Sequence, residues 1–98
     1  MKTYNVRLTL RAEKEKWDLH DYLFYSIKAP LTAKRYIDGL EKELRRLERL
    51  AGIIKTDINL SQRFGYELKR TNYKKIAIIY SIEDDIVYIH HIIPQSLL

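Results

Sequence analysis

The sequence predicts a two-layer α+β domain of order β-α-α-β-β-β, with a helix hairpin on one face of a mainly antiparallel four-stranded sheet. Three observations predict it. Residues near the N-terminus alternate apolar and polar with a period of two. Two amphipathic stripes of helical period follow, parted by a few residues around Pro30. Three β-rich segments then come in succession, divided by short polar breaks.

The alternation runs through Tyr4, Val6, Leu8 and Leu10, with Thr3, Asn5, Arg7 and Thr9 between them, and reads as a half-buried strand. From Ala12 the period changes. Ala12, Leu19, Leu23 and Ile27 share one helical stripe, and Glu13, Lys14, Glu15, Lys16, Asp18 and Asp21 cover the rest, which predicts a helix over 12–27. Pro30 suits the first turn of a second helix. Its seam is Ala33, Ile37, Leu40, Leu44, Leu47 and Ala51, at alternating spacings of four and three, and Gly52 is its stop. Leu19, Leu23, Ile37, Leu40, Leu44 and Leu47 form the expected core of the hairpin.

Residues 53–63 read as a loop, with Asp57, Asn59 and Ser61 as turn formers. A strand is expected over 64–71 and another over 74–82. Glu83-Asp84-Asp85 then makes a polar turn, and a last strand, 86–93, stops at Pro94. The first strand pairs with this meander, because alone it would leave its backbone groups unsatisfied.

At 98 residues the chain is a single domain, 1–98, with little space for a deep pocket beside its core. Zero cysteines exclude disulfides, thiolate metal sites and a cysteine nucleophile. No apolar run approaches the ~20 residues of a membrane span. The start, Met-Lys-Thr-Tyr-Asn-Val-Arg, lacks the apolar region of a signal peptide. A cytoplasmic protein without a membrane partner is therefore expected. Lys and Arg number 18 against 13 Asp and Glu, so the net charge of +5 favours an acidic partner.

The most concentrated chemistry is Lys69, Arg70, Lys74 and Lys75 around a hairpin turn, preceded by Arg63 and interleaved with Tyr66 and Tyr73. Cations bind phosphates and tyrosines stack on bases, so these are the expected target- or phosphate-binding residues. The plainer alternative is a sheet edge kept soluble by charge. Arg70 and His91 are the candidate catalytic residues, His91 as a general acid or base. As neighbours in a strand, His90 and His91 are expected on opposite faces. His20 is flanked at four residues by Lys16 and Phe24, so the histidines make no metal site. The glycines, at 39, 52 and 65, make no phosphate loop. Neither a metal nor a cofactor is expected.

Taken together, these residues resemble the RelE/ParE superfamily of toxins from type II toxin–antitoxin modules. The resemblance spans nearly the whole chain. It rests on the strand Tyr4-Asn5-Val6-Arg7-Leu8, the helix from Ala12 to Tyr25-Ser26-Ile27, Pro30-Leu31-Thr32-Ala33 opening a helix that ends Leu44-Arg45-Arg46-Leu47, and the segment Arg70-Thr71-Asn72-Tyr73-Lys74-Lys75. Ile78-Ile79-Tyr80-Ser81-Ile82-Glu83-Asp84-Asp85 and Val87-Tyr88-Ile89 complete it.

The resemblance implies a cognate antitoxin as partner, and the ribosome with its mRNA, or DNA gyrase, as target. RelE-like members cleave mRNA in the ribosome without a metal; ParE-like members poison gyrase. Aligned backwards from Tyr80-Ser81-Ile82-Glu83-Asp84-Asp85, the arginine that RelE-like members carry in the second strand falls at Arg70. Aligned on Asn72-Tyr73, it falls at Glu67. Many members carry a histidine past the last strand and an arginine two residues on; those positions here are Pro94 and Ser96, so the usual C-terminal catalytic residues are not matched. The alternative function is a non-toxic relative that only binds an antitoxin or a nucleic acid.

Overall fold

In the computed structural model, which describes residues 2–98, Asn5–Leu8 forms β1 and Leu10–Asp21 forms α1. A π-helical turn, Tyr22–Ser26, extends α1. Pro30–Leu50 is α2, Ile58–Phe64 is α3, and Lys69–Tyr73, Ile76–Glu83 and Ile86–Pro94 are β2, β3 and β4. The sheet order is β1-β4-β3-β2, with β1 parallel to β4 and the other pairs antiparallel. The expected α+β architecture is therefore present, with α1 and α2 on one face.

Strand β1 is shorter than the alternation suggests. Thr9 leaves the strand to cap α1, its hydroxyl accepting from the Ala12 amide at 3.2 Å. Leu10 thus begins a helix and is 92% exposed instead of facing inward. On α1, Ala12 is buried, Leu19 and Leu23 are only half-buried, and Ile27 is exposed. The stripe position between Ala12 and Leu19 belongs to Lys16, which is 8% exposed. Its aliphatic stem packs inward while its ammonium lies 3.3 Å from Glu13 and 3.4 Å from Glu41.

The α2 seam packs as its spacing dictates. Ala33, Ile37, Leu40, Leu44, Leu47 and Ala51 are all buried, against Ile76, Ile78 and Tyr80 of β3 and Val87, Ile89 and Ile92 of β4. The helix passes close to β2 at Gly39, where an added methyl would run into the Tyr73 hydroxyl. The Tyr36 ring meets Tyr73 edge-on, with 5.3 Å between centroids.

Three corrections concern the middle of the chain. The expected loop over 53–63 contains α3. Asp57 caps it by accepting from the Leu60 amide at 2.9 Å, and Gly65 ends it in the left-handed conformation, φ 83°. The expected strand over 64–71 begins only at Lys69, because Phe64 closes α3 and Gly65 turns the chain. The following hairpin turns at Lys74 (φ 54°) and Lys75, so the next strand starts at Ile76 and not at residue 74. Helix α3 lies on the sheet face away from the hairpin, where Leu60, Leu68 and Ile79 form a small second core with Ile93 against it.

Candidate functional site

The functional face is built by an irregularity in the β3–β4 ladder. Ile79 pairs with His91 and Tyr80 pairs with Ile89, which leaves His90 as an extra, bulged residue. A bulge shifts the two-residue alternation by one. Ile89 and Ile92 both enter the main core, and His90 and His91 both turn to the opposite face. The expectation that the two histidines lie on opposite faces is thus corrected. His91 also shares its face with Arg70: Arg70 pairs with Ile79, and Ile79 with His91. Two strand spacings, roughly 10 Å, separate those backbones.

His90 and His91 line a cleft of about 560 Å³ together with Arg11 from α1, Arg63 and Phe64 from the end of α3, and Tyr66. Each imidazole has an aromatic neighbour. Tyr66 meets His90 edge-on at 5.7 Å between centroids, and Phe64 lies 6.0 Å from His91. The Arg63 guanidinium stands 5.8 Å from the Phe64 centroid. A second hollow of about 260 Å³, holding Arg70, Asn59 and Asp57, adjoins the cleft and shares Arg63 and Leu98 with it. Arg70 is steadied by its own strand, its Nε donating to Asn72 Oδ1 at 3.0 Å.

Each histidine also has a polar anchor. Ser81 Oγ and His90 Nε2 are hydrogen-bonded at 2.8 Å. Burial lowers the His90 imidazole below its ordinary value; the charge of His91 pushes the same way and Glu83 opposes both. Beside them, β1 has ended at Leu8, so the far half of β4 lacks a neighbouring strand on that side. Glu15 of α1 takes that place. Its Oε1 accepts from the Ile92 amide at 3.1 Å, and its Oε2 lies 3.4 Å from His91 Nδ1.

The basic group named from sequence divides between the two faces. Arg63 and Arg70 lie on the cleft side. Lys69 points the other way and donates to the Ile54 carbonyl at 2.5 Å. Lys74 sits 5.1 Å over the Tyr36 ring and 5.5 Å over Tyr73, also on the helix side. Lys75 is exposed on the hairpin turn at the end of the sheet. Arg11 and Phe64 carry no sequence signal of a site, and His90 has one only as an alternative general base to His91. A signal of its orientation was available: Ile89 and Ile92 can both face the core only if the strand slips by one residue between them.

Among the described residues, no group of three or more histidines, aspartates or glutamates stands where it could hold a metal ion. No helix among them is long and apolar enough to cross a membrane. No protein-family model matches the chain, and no curated protein matches it in sequence. A solved chain does match in three dimensions. It is described as "Chromosomal ParDE TA system from P. aeruginosa", and superimposes with a TM-score of 0.76 at 9% identity, covering 96% of this chain and 98% of that one. This protein has a RelE/ParE-like fold. On that fold the site occupies the sheet face away from the helix hairpin, framed by α3, the start of α1 and the bulged part of β4. What the arrangement can do chemically follows from its parts. Guanidinium groups bind phosphate oxygens in a forked geometry, aromatic rings offer stacking surfaces, and imidazoles can act as proton donors or acceptors.

Proposed function

We propose that this protein is the toxin of a type II toxin–antitoxin pair, neutralised by a cognate antitoxin, and that it arrests growth by engaging ribosome-associated mRNA through the cleft. The observation that carries the reading is the bulge at His90. It gathers two imidazoles, Arg11, Arg63 and two aromatic rings on one face of a RelE/ParE-like fold. The neighbour described as a ParDE TA system supports the antitoxin partner, which a +5 chain would draw through acidic groups. Arg63 and Arg70 would hold phosphates, and Phe64 and Tyr66 would stack on bases. One of His90 and His91 would take the proton of the attacking 2′-hydroxyl, and the other would give one to the leaving 5′-oxygen as its P–O bond breaks. Lys75 would add long-range attraction.

The test is inducible expression with and without the adjacent small reading frame, following growth, RNA integrity and DNA damage. Growth arrest with RNA cleavage, relieved by the neighbouring gene and by Arg63→Ala or Arg70→Ala, is the expected result. Arrest with DNA breaks and intact RNA would move the target to gyrase. Equal toxicity of both arginine variants at equal expression would remove the cleft from the function.

A further inference from the structure

The cleft holds two imidazoles side by side, and among the described residues one carboxylate, Glu15, stands within ion-pair distance of them. Charged and titratable groups reach the pair's face from every element around it; on the sheet itself Tyr88 of β4 and its β1 partner Arg7 lie on the same face as His90. From α1 come Arg11 and Glu15, the latter 3.4 Å from His91 Nδ1. From α3 and the turn after it come Arg63 and Tyr66. From β3 come Ser81, bonded to His90, and Glu83, which acts on His90 from near the strand's end. Arg70 lies across Ile79 on the same face. His90 itself has no carboxylate partner among the described residues; its hydrogen bond is to a neutral hydroxyl.

We propose that the His90–His91 pair makes the cleft's hold on a polyanion depend on pH, binding tightening as the pair takes up protons. The proposal rests on the reading of this cleft as the place where the target is held, and adds a control that the reading does not require. The physical ground is the geometry of the bulge. Two like charges so close together repel each other, and a phosphate lying between Arg11, Arg63 and the pair relieves that repulsion. An anion in the cleft therefore favours protonation, and by reciprocity protonation favours the anion. Burial disfavours the charged form of His90 in the free protein, so an anion that favours that charge acts against it. If the anion raises the pair's proton affinity by about one pKa unit, its own affinity rises about tenfold between the neutral and the protonated cleft.

The experiment is fluorescence anisotropy with a labelled single-stranded RNA decamer, and in parallel competition by short-chain inorganic polyphosphate. Both are run at one fixed ionic strength, at roughly pH 5.5 and roughly pH 7.5, either side of the ordinary imidazole value. The expected result is a Kd about threefold to tenfold lower at the acid end for both probes. The double variant His90→Asn, His91→Asn, checked for retained fold by circular dichroism, should bind with a Kd that changes less than about twofold over the same range. RNA binding that ignores pH, or a double variant that keeps the full change, overturns the proposal and leaves the RNA reading standing. Polyphosphate binding that tightens with acid while RNA fails to bind overturns the RNA reading and leaves the proposal standing. Binding of neither probe at either pH overturns both.

Discussion

Tyr80 ties the sheet to the end of α2. Its ring is wholly buried, and its hydroxyl donates to the Ala51 carbonyl at 2.9 Å. Burial holds the phenol protonated far above its ordinary range. Tyr80→Phe keeps the ring and leaves that carbonyl without its partner, so urea denaturation should show a loss of about 1–3 kcal/mol. His90 carries the molecule's acid sensitivity in a similar way. The fold disfavours its charged form, so the unfolded chain binds the extra proton first as pH falls through about 6.5. Its contribution is therefore complete above that pH and declines below it. Urea midpoints measured across the range should fall toward acid, and His90→Asn should flatten part of the fall. A midpoint that rises toward acid in the parent protein would contradict this assignment.

At the level of elements, what was legible in the sequence follows depth of burial. The α2 seam could be read because six positions on one stripe are all buried, and nothing but packing decides their identity. Helix α3 could not be read that way. It has seven residues and buries only Leu60, so its existence depends on the Asp57 cap and the left-handed Gly65, and not on periodicity. The bulge was hidden because Ile86 to Ile93 is apolar at almost every position except the two histidines, so no alternation announces the slip. The candidate site was legible as far as Arg63, Tyr66, Arg70 and His91. Its completion waited on the bulge and on α3, which bring in His90, Arg11 and Phe64. The close pass of α2 over β2 gives a test at this scale. Gly39→Ala gains up to about 1 kcal/mol in helix propensity but drives a methyl into the Tyr73 hydroxyl. The crowding should prevail, with a net loss of about 1–3 kcal/mol read as a lowered thermal midpoint.

Across the whole molecule the ion pairs of the described residues bypass the arginines of the cleft. On the helix side Lys16, Lys34 and Arg46 pair with Glu41, Asp38 and Glu43. Among the described residues, Arg11, Arg63 and Arg70 on the cleft side have no carboxylate within salt-bridge distance. Single-stranded RNA affinity should therefore fall with salt, and the slope of log K against log salt should shrink by about one for Arg63→Ala or Arg70→Ala. Arg46→Ala, on the paired side, should leave the slope unchanged. The strand order carries a further meaning. In β1-β4-β3-β2 the strand translated last among those described lies inside the sheet, and it brings both histidines with it. A nascent chain that has not yet released β4 has a first strand with no neighbour and a cleft without imidazoles. Domains gain structure from the N-terminus during synthesis where contacts are local, but here the decisive contact joins the two ends of the chain. The cleft proposed to hold RNA is thereby incomplete until β4 has been released and has joined the sheet.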